Sequence, residues 1–211
     1  NESDCFAQSI AAGGAHSLAL CSDQTVRAWG ANQSGQLGDG TTFNRSTPVP
    51  VLGLAGVTAV SAGNFNSMAL LSNGTVWTWG NNFYGQLGDG TLVGKTTPVQ
   101  VLGLAGVIAI SQGDFHSMAL LGNGTVWAWG YNSNGQLGDG TTVDKSTPVQ
   151  VLGLAGVIAI AAGEIQSAAL LSNGTVWTWG NNQYGQLGDG TTLDKSTPIQ
   201  VPGIANATAI E

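Results

Sequence analysis

Four aspartates, Asp39, Asp89, Asp139 and Asp189, stand fifty residues apart, each inside the same heptapeptide, Gly-Gln-Leu-Gly-Asp-Gly-Thr. Carboxylates among glycines suit a hard cation such as calcium, which takes oxygen ligands from flexible loops. The string matches neither the twelve-residue helix-loop-helix site nor the calcium-binding β-roll repeat. It reads as a structural turn in which glycines supply unusual φ values and the Gln and Asp side chains bond nearby backbone. His16 and His116 share one position of the fifty-residue period, which is Asn66 and Gln166 in the other two units. Amides replacing imidazole imply a hydrogen-bonding role, and two histidines a hundred residues apart are too few for zinc. No metal or cofactor is expected.

Catalysis would need a nucleophile with a base, a carboxylate pair, or a phosphate-binding loop. Serines are plentiful, but no Gly-x-Ser-x-Gly elbow occurs. Asp114 and Glu164 correspond to Gly14 and Asn64 in the other units, so they predict a weakly acidic, variable surface on one rim and no catalytic dyad. The chain reads as a non-enzyme.

Paired tryptophans recur at Trp77 and Trp79, Trp127 and Trp129, Trp177 and Trp179, with Arg27 and Trp29 in the first unit. Residues two apart on a strand share a face. These rings are expected to pack between neighbouring sheets, with carbohydrate stacking as the functional alternative. Seven Asn-x-Ser/Thr sequons, at Asn1, Asn32, Asn44, Asn73, Asn123, Asn173 and Asn206, are candidate glycosylation sites.

The elements that position these residues follow from internal repetition. Four fifty-residue units fill the chain, and residues 101–150 differ from 151–200 at only thirteen positions. Within one unit, residues 107–110, 117–121, 125–129 and 148–152 carry strand signals. Asn123-Gly124, like Asn73-Gly74 and Asn173-Gly174, predicts a type I′ hairpin turn with positive φ at both residues. Gly or Pro punctuates every ten or so residues, and no capped helical period appears. The fold class is all-β: propeller-type blades of four short antiparallel strands. The expected division is an N-terminal strand and cap over 1–10, then units over 11–60, 61–110, 111–160 and 161–211.

Composition narrows the function. The 211 residues include only 8% charged residues, and five Lys+Arg against twelve Asp+Glu give a net charge of −7. The five cations, Arg27, Arg45, Lys95, Lys145 and Lys195, are scattered singly, so counterion release offers nucleic acid nothing. The longest apolar stretches, such as 101–110, are too short and too glycine-rich to span a membrane as a helix. Cys5 and Cys21 lie sixteen residues apart, a spacing that permits a bridge. With the low charge and the start at Asn1, this predicts an extracellular, secreted or cell-surface protein.

The run Gly113-Asp114-Phe115-His116-Ser117-Met118-Ala119-Leu120, followed by Trp129-Gly130-Tyr131-Asn132-Ser133-Asn134-Gly135-Gln136-Leu137-Gly138, resembles the repeat of the regulator of chromosome condensation family. The resemblance covers nearly the whole chain. It implies propeller blades, typically seven in a ring, on proteins that are exchange factors for a small nuclear GTPase, secreted bacterial inhibitors of β-lactamase, or interaction domains. The loops that carry exchange are insertions outside the repeat core, and this chain has none, so exchange activity is not carried over. Four blades at that step make an open arc. The first-strand phase occurs five times, from Ala7, Gln8, Ser9 and Ile10 to Ala207, Thr208, Ala209 and Ile210, so one copy is left over. The expected function is head-to-tail self-association through these strands into an extracellular filament. The alternative is a protein-binding propeller module, with another protein or carbohydrate as partner.

Overall fold

A computed structural model describes residues 5–210. The β-branched and aromatic runs form sixteen strands in four antiparallel sheets, each in simple sequence order. The first sheet contains β1 (Ala7–Ala12), β2 (His16–Cys21), β3 (Val26–Gly30) and β4 (Arg45–Pro50). The second contains β5 (Val57–Ala62), β6 (Asn66–Leu71), β7 (Val76–Gly80) and β8 (Lys95–Gln100). The third is β9 (Val107–Gln112), β10 (His116–Leu121), β11 (Val126–Gly130) and β12 (Lys145–Gln150), and the fourth β13 (Val157–Ala162), β14 (Gln166–Leu171), β15 (Val176–Gly180) and β16 (Lys195–Gln200). We call the sheets blades 1 to 4.

As the first-strand phase requires, each blade opens with the strand that ends the preceding fifty-residue division: β5 pairs with β6 and not with β4. The blades therefore divide at residues 51–56, 101–106 and 151–156. The fourth strand of blade 3 also begins earlier than 148, since Lys145 already pairs with Gly130. Pro48, Pro98, Pro148 and Pro198 lie inside these outermost strands, where a missing N–H is tolerated.

Three apolar clusters hold the blades together, one per seam. Leu18, Ala28, Leu37 and Val51 of blade 1 pack on Ala69 and Trp79 of blade 2. Met68, Val76 and Val101 pack on Ala119 and Trp129, and Met118, Leu137 and Val151 on Ala169 and Trp179. A closed ring of four blades needs four seams, so three make an open arc. The first strands β1, β5, β9 and β13 approach one another and line the axis. There the loops run so close that a Cβ on Gly63 would collide with the carbonyl oxygen of Gly113.

The hairpins differ from the expected type I′ turn. Asn73, Asn123 and Asn173 do not take positive φ; only the following glycines do, at 77°, 78° and 78°. Gly74 N donates to Leu71 O and Leu71 N to Thr75 O, which makes a three-residue loop, a turn over Ser72-Asn73 followed by a left-handed glycine. The Asn side chain caps it, Asn73 Oδ1 accepting from Thr75 N and Oγ1. In blade 1 the left-handed position is Gln24, at φ 63°.

Candidate interaction rim

Each seam is also closed by hydrogen bonds from the following blade. Ser67 Oγ and Trp79 Nε1 both donate to Gln36 O, at 2.7 and 2.8 Å. Gln86 O and Gln136 O receive the same pair from Ser117 and Trp129, and from Ser167 and Trp179. Since Ser67 Oγ spends its proton on Gln36, the His16 Nε2 contact at 2.8 Å requires that nitrogen to donate. His116 does the same to Ser167. Burial pushes both imidazoles down to a pKa of about 4. At the middle seam the expected substitution of an amide at the same position does not occur. Asn66 is buried with its amide unpartnered, and Gln112 Nε2, one strand over, reaches Ser117 instead at 3.4 Å.

The aspartate turns close on themselves. Asn32 Nδ2 donates to Asp39 Oδ1, Thr41 O and Phe43 O, while its Oδ1 accepts from Leu37 N. Asp39 Oδ1 also takes Thr41 N and Oγ1, and Asp39 Oδ2 pairs with Arg45 at 2.7 Å. Lys95, Lys145 and Lys195 meet Asp89, Asp139 and Asp189 in the same way. Burial pushes the Asp39, Asp89 and Asp139 carboxyls up, but the Thr, Asn and basic partners outweigh it and leave each below its ordinary value. These carboxylates already have their partners, and among the described residues no group of three or more potential metal ligands gathers.

Trp79, Trp129 and Trp179 are wholly buried, which removes them as sugar-stacking surfaces; Trp77, Trp127 and Trp177 are half-buried, the last two packed against the seam clusters. The glycosylation expectation is corrected at Asn32, whose side chain is buried and fully bonded as above. Asn44, Asn73, Asn123, Asn173 and Asn206 are exposed, and Asn1 lies outside the described residues. Cys5 and Cys21 are joined by a disulfide with Cα atoms 5.1 Å apart. Ala7, Gln8, Ser9 and Ile10 are already paired inside blade 1. Ala207, Thr208, Ala209 and Ile210 form no strand. Ala207 N donates to Gly174 O, as Val157 N does to Gly124 O, so the segment sits where a fifth inner strand would begin.

The up-and-down order sends the first-to-second and third-to-fourth strand loops of every blade to one rim, and the hairpins and interblade links to the other. Among residues 51–100, 101–150 and 151–200, eighteen positions vary; apart from those in strands, one, Ser72/Gly122/Ser172, lies in loops of the second rim and eight in those of the first. Asn64, Asp114 and Glu164 occupy one such position, Asn81, Tyr131 and Asn181 another, and Phe83, Ser133 and Gln183 a third. The opposite rim keeps Asn-Gly and Val-Leu-Gly-Leu-Ala-Gly unchanged in all three. On the variable rim Tyr84, Phe115 and Tyr131 pack together with ring centroids 4.8 to 6.2 Å apart. They line a cleft of about 210 Å³ with Asn134, Glu164 and Ile165. Burial and the neighbouring Glu164 charge push the Asp114 carboxyl up. Sequence reasoning marked Asp114 and Glu164 but missed the aromatic cluster, whose members come from unlike repeat positions on two blades.

Four meander sheets packed face to face around an axis define an open β-propeller segment. The chain belongs to the RCC1-like domain family, which matches residues 2–211. Human WBSCR16 superposes with a TM-score of 0.83 at 29% identity, covering 94% of this chain and 53% of that one. Prp20p of Saccharomyces cerevisiae, described with its binding properties to Gsp1p and histones, gives a TM-score of 0.82 at 25% identity over 96% of this chain and 52% of that one. Yeast RCC1 (Prp20) bound to Kap60 gives 0.83 at 25% identity, over 96% and 50%. The chain spans about half the length of these solved relatives.

Proposed function

We propose that this chain is a non-enzymatic protein-binding propeller module that grips its partner with the variable rim. One observation carries the reading: in units that are otherwise nearly identical, eight of the nine loop positions that change lie on one rim. Packing constrains both rims alike, so a difference between them points to recognition. That Prp20p is described with its binding to Gsp1p and histones supports a binding role. The test compares Phe83→Ser/Tyr184→Ser on this rim with Leu102→Ser/Leu152→Ser on the other; all four residues are exposed. Cross-linked capture of a saturable partner should be lost with the first pair and kept with the second. Equal retention by both sinks the reading.

A second reading, head-to-tail self-association into an extracellular filament, is supported by the two open blades. Among the described residues, Gln186 O and Gly190 N lack the partners that Gln136 O and Gly140 N find across a seam. Trp29 Nε1 and Ser17 Oγ in blade 1 lack the carbonyl that Trp79 and Ser67 find. One open face thus offers what the other needs. The Cys5–Cys21 bridge supports the extracellular placement, and the exposed Asn73, Asn123 and Asn173 would then be available to glycosylation. Native mass measurement decides: a monomer at all concentrations ends this reading, and polymers unchanged by deleting residues 205–211 end strand donation as its mechanism.

A further inference from the structure

Resting on the rim reading above, we infer that the cleft beside Tyr84, Phe115 and Tyr131 takes one basic side chain of a partner protein, an arginine guanidinium stacked on the rings and paired with Glu164. The rings meet at steep angles, 87° for Tyr84 with Phe115 and 69° for Phe115 with Tyr131, and sit too close together to admit anything between them. What they offer a ligand is their outer faces, along the wall of the cleft. Its volume of about 210 Å³ is below the roughly 300–1,000 Å³ of small-molecule sites and suits a single side chain.

Charge selects which side chain. Glu164 is exposed at the cleft and Asp114 lies close enough to feel its charge. Arg45, Lys95, Lys145 and Lys195 are held by the aspartates of the heptapeptide turns. Among the described residues, Asp114 receives only a long bond from Asn64 Nδ2, at 3.4 Å. An aromatic face beside carboxylates that no lysine or arginine of these turns neutralises attracts a cation through the ring quadrupole and direct pairing. Arginine fits better than lysine, because its planar fork stacks and pairs at once.

The test is a nuclear magnetic resonance titration of the whole chain with the peptide acetyl-Gly-Arg-Gly-amide, compared with its lysine and citrulline counterparts. Citrulline keeps the shape and removes the charge. The arginine peptide should shift the Tyr84 and Tyr131 ring signals saturably and bind about tenfold tighter than the citrulline peptide. Glu164→Gln and Tyr131→Ala should each weaken it about tenfold, and Tyr131→Phe should restore binding, with unchanged indole signals showing that the fold is kept. Unmoved ring signals, or equal binding of arginine and citrulline, overturn the assignment. Capture that depends on the rim while the arginine peptide leaves the rings untouched removes the basic anchor and keeps the rim reading. Rim-independent capture with arginine binding intact does the reverse.

Discussion

The indole Nε1 of Trp79 donates to the carbonyl oxygen of Gln36 across the first seam, at 2.8 Å, and fixes how far blade 2 rotates against blade 1. A Cβ on Gly38, at φ 68°, would lie 2.9 Å from that indole nitrogen, so the glycine both takes the left-handed turn and leaves the ring its seat.

Trp129 makes the same bond to Gln86 and is fully buried. Trp129→Phe should therefore cost about 2 kcal/mol through the lost bond and the space left behind. Trp29 is half-exposed on an open face and, among the described residues, has no such acceptor, so Trp29→Phe should cost under about 1 kcal/mol. Urea unfolding of the two variants measures the difference.

Acid should loosen the fold through its two buried histidines. His16 and His116 have pKa values of about 4 against an ordinary 6.5, so between these values the unfolded chain binds protons that the folded chain does not. Stability is complete above pH 6.5 and falls as the pH drops toward 4, by about 1.4 kcal/mol per pH unit for each histidine. Denaturation midpoints of a His16→Gln/His116→Gln variant should lose that slope. A slope equal to that of the parent protein would show that the histidines are not its source.

Gln24 holds φ 63° where the other three blades use glycine. Gln24→Gly should stabilise by about 0.5–1 kcal/mol, because the left-handed cost for a side chain slightly exceeds the extra entropy glycine loses. The bond from Val57 N to the backbone carbonyl at position 24 stays available. Thermal melts check this.

Asn132 is buried and donates to Asp139, Thr141 O and Val143 O while accepting from Leu137 N. Asn132→Ala leaves these groups unpaired and should cost about 2–3 kcal/mol. Added calcium should leave the melting temperature of the parent protein unchanged, since each turn aspartate is already bonded; a calcium-dependent rise would reopen the metal reading.

The heptapeptide period and the paired tryptophans made the blade architecture legible in the sequence, because each blade is a local meander whose strands follow one another. The strand that opens a blade was legible too, because the run at 57–60 recurs at 7–10 and 207–210, once more often than the hairpin, and β5 does pair with β6. The turn type was not legible: Asn-Gly serves both a two-residue and a three-residue loop, and the bond from Leu71 N to Thr75 O selects between them. The acidic part of the rim was visible as charge variation at Asp114 and Glu164. Its aromatic part was not, because Tyr84, Phe115 and Tyr131 hold different places in their units and meet only through the rotation between blades 2 and 3.

The prolines of the outermost strands have a bearing on crowding. An exposed sheet edge is a template on which another chain can lay its backbone. Here Pro48, Pro98, Pro148 and Pro198 each break the row of amide hydrogens along the circumference. Lateral lamination into amyloid-like stacks is thereby blocked on every blade, so concentrated solutions of this protein should stay free of cross-β aggregates even though the ends of its arc are uncovered.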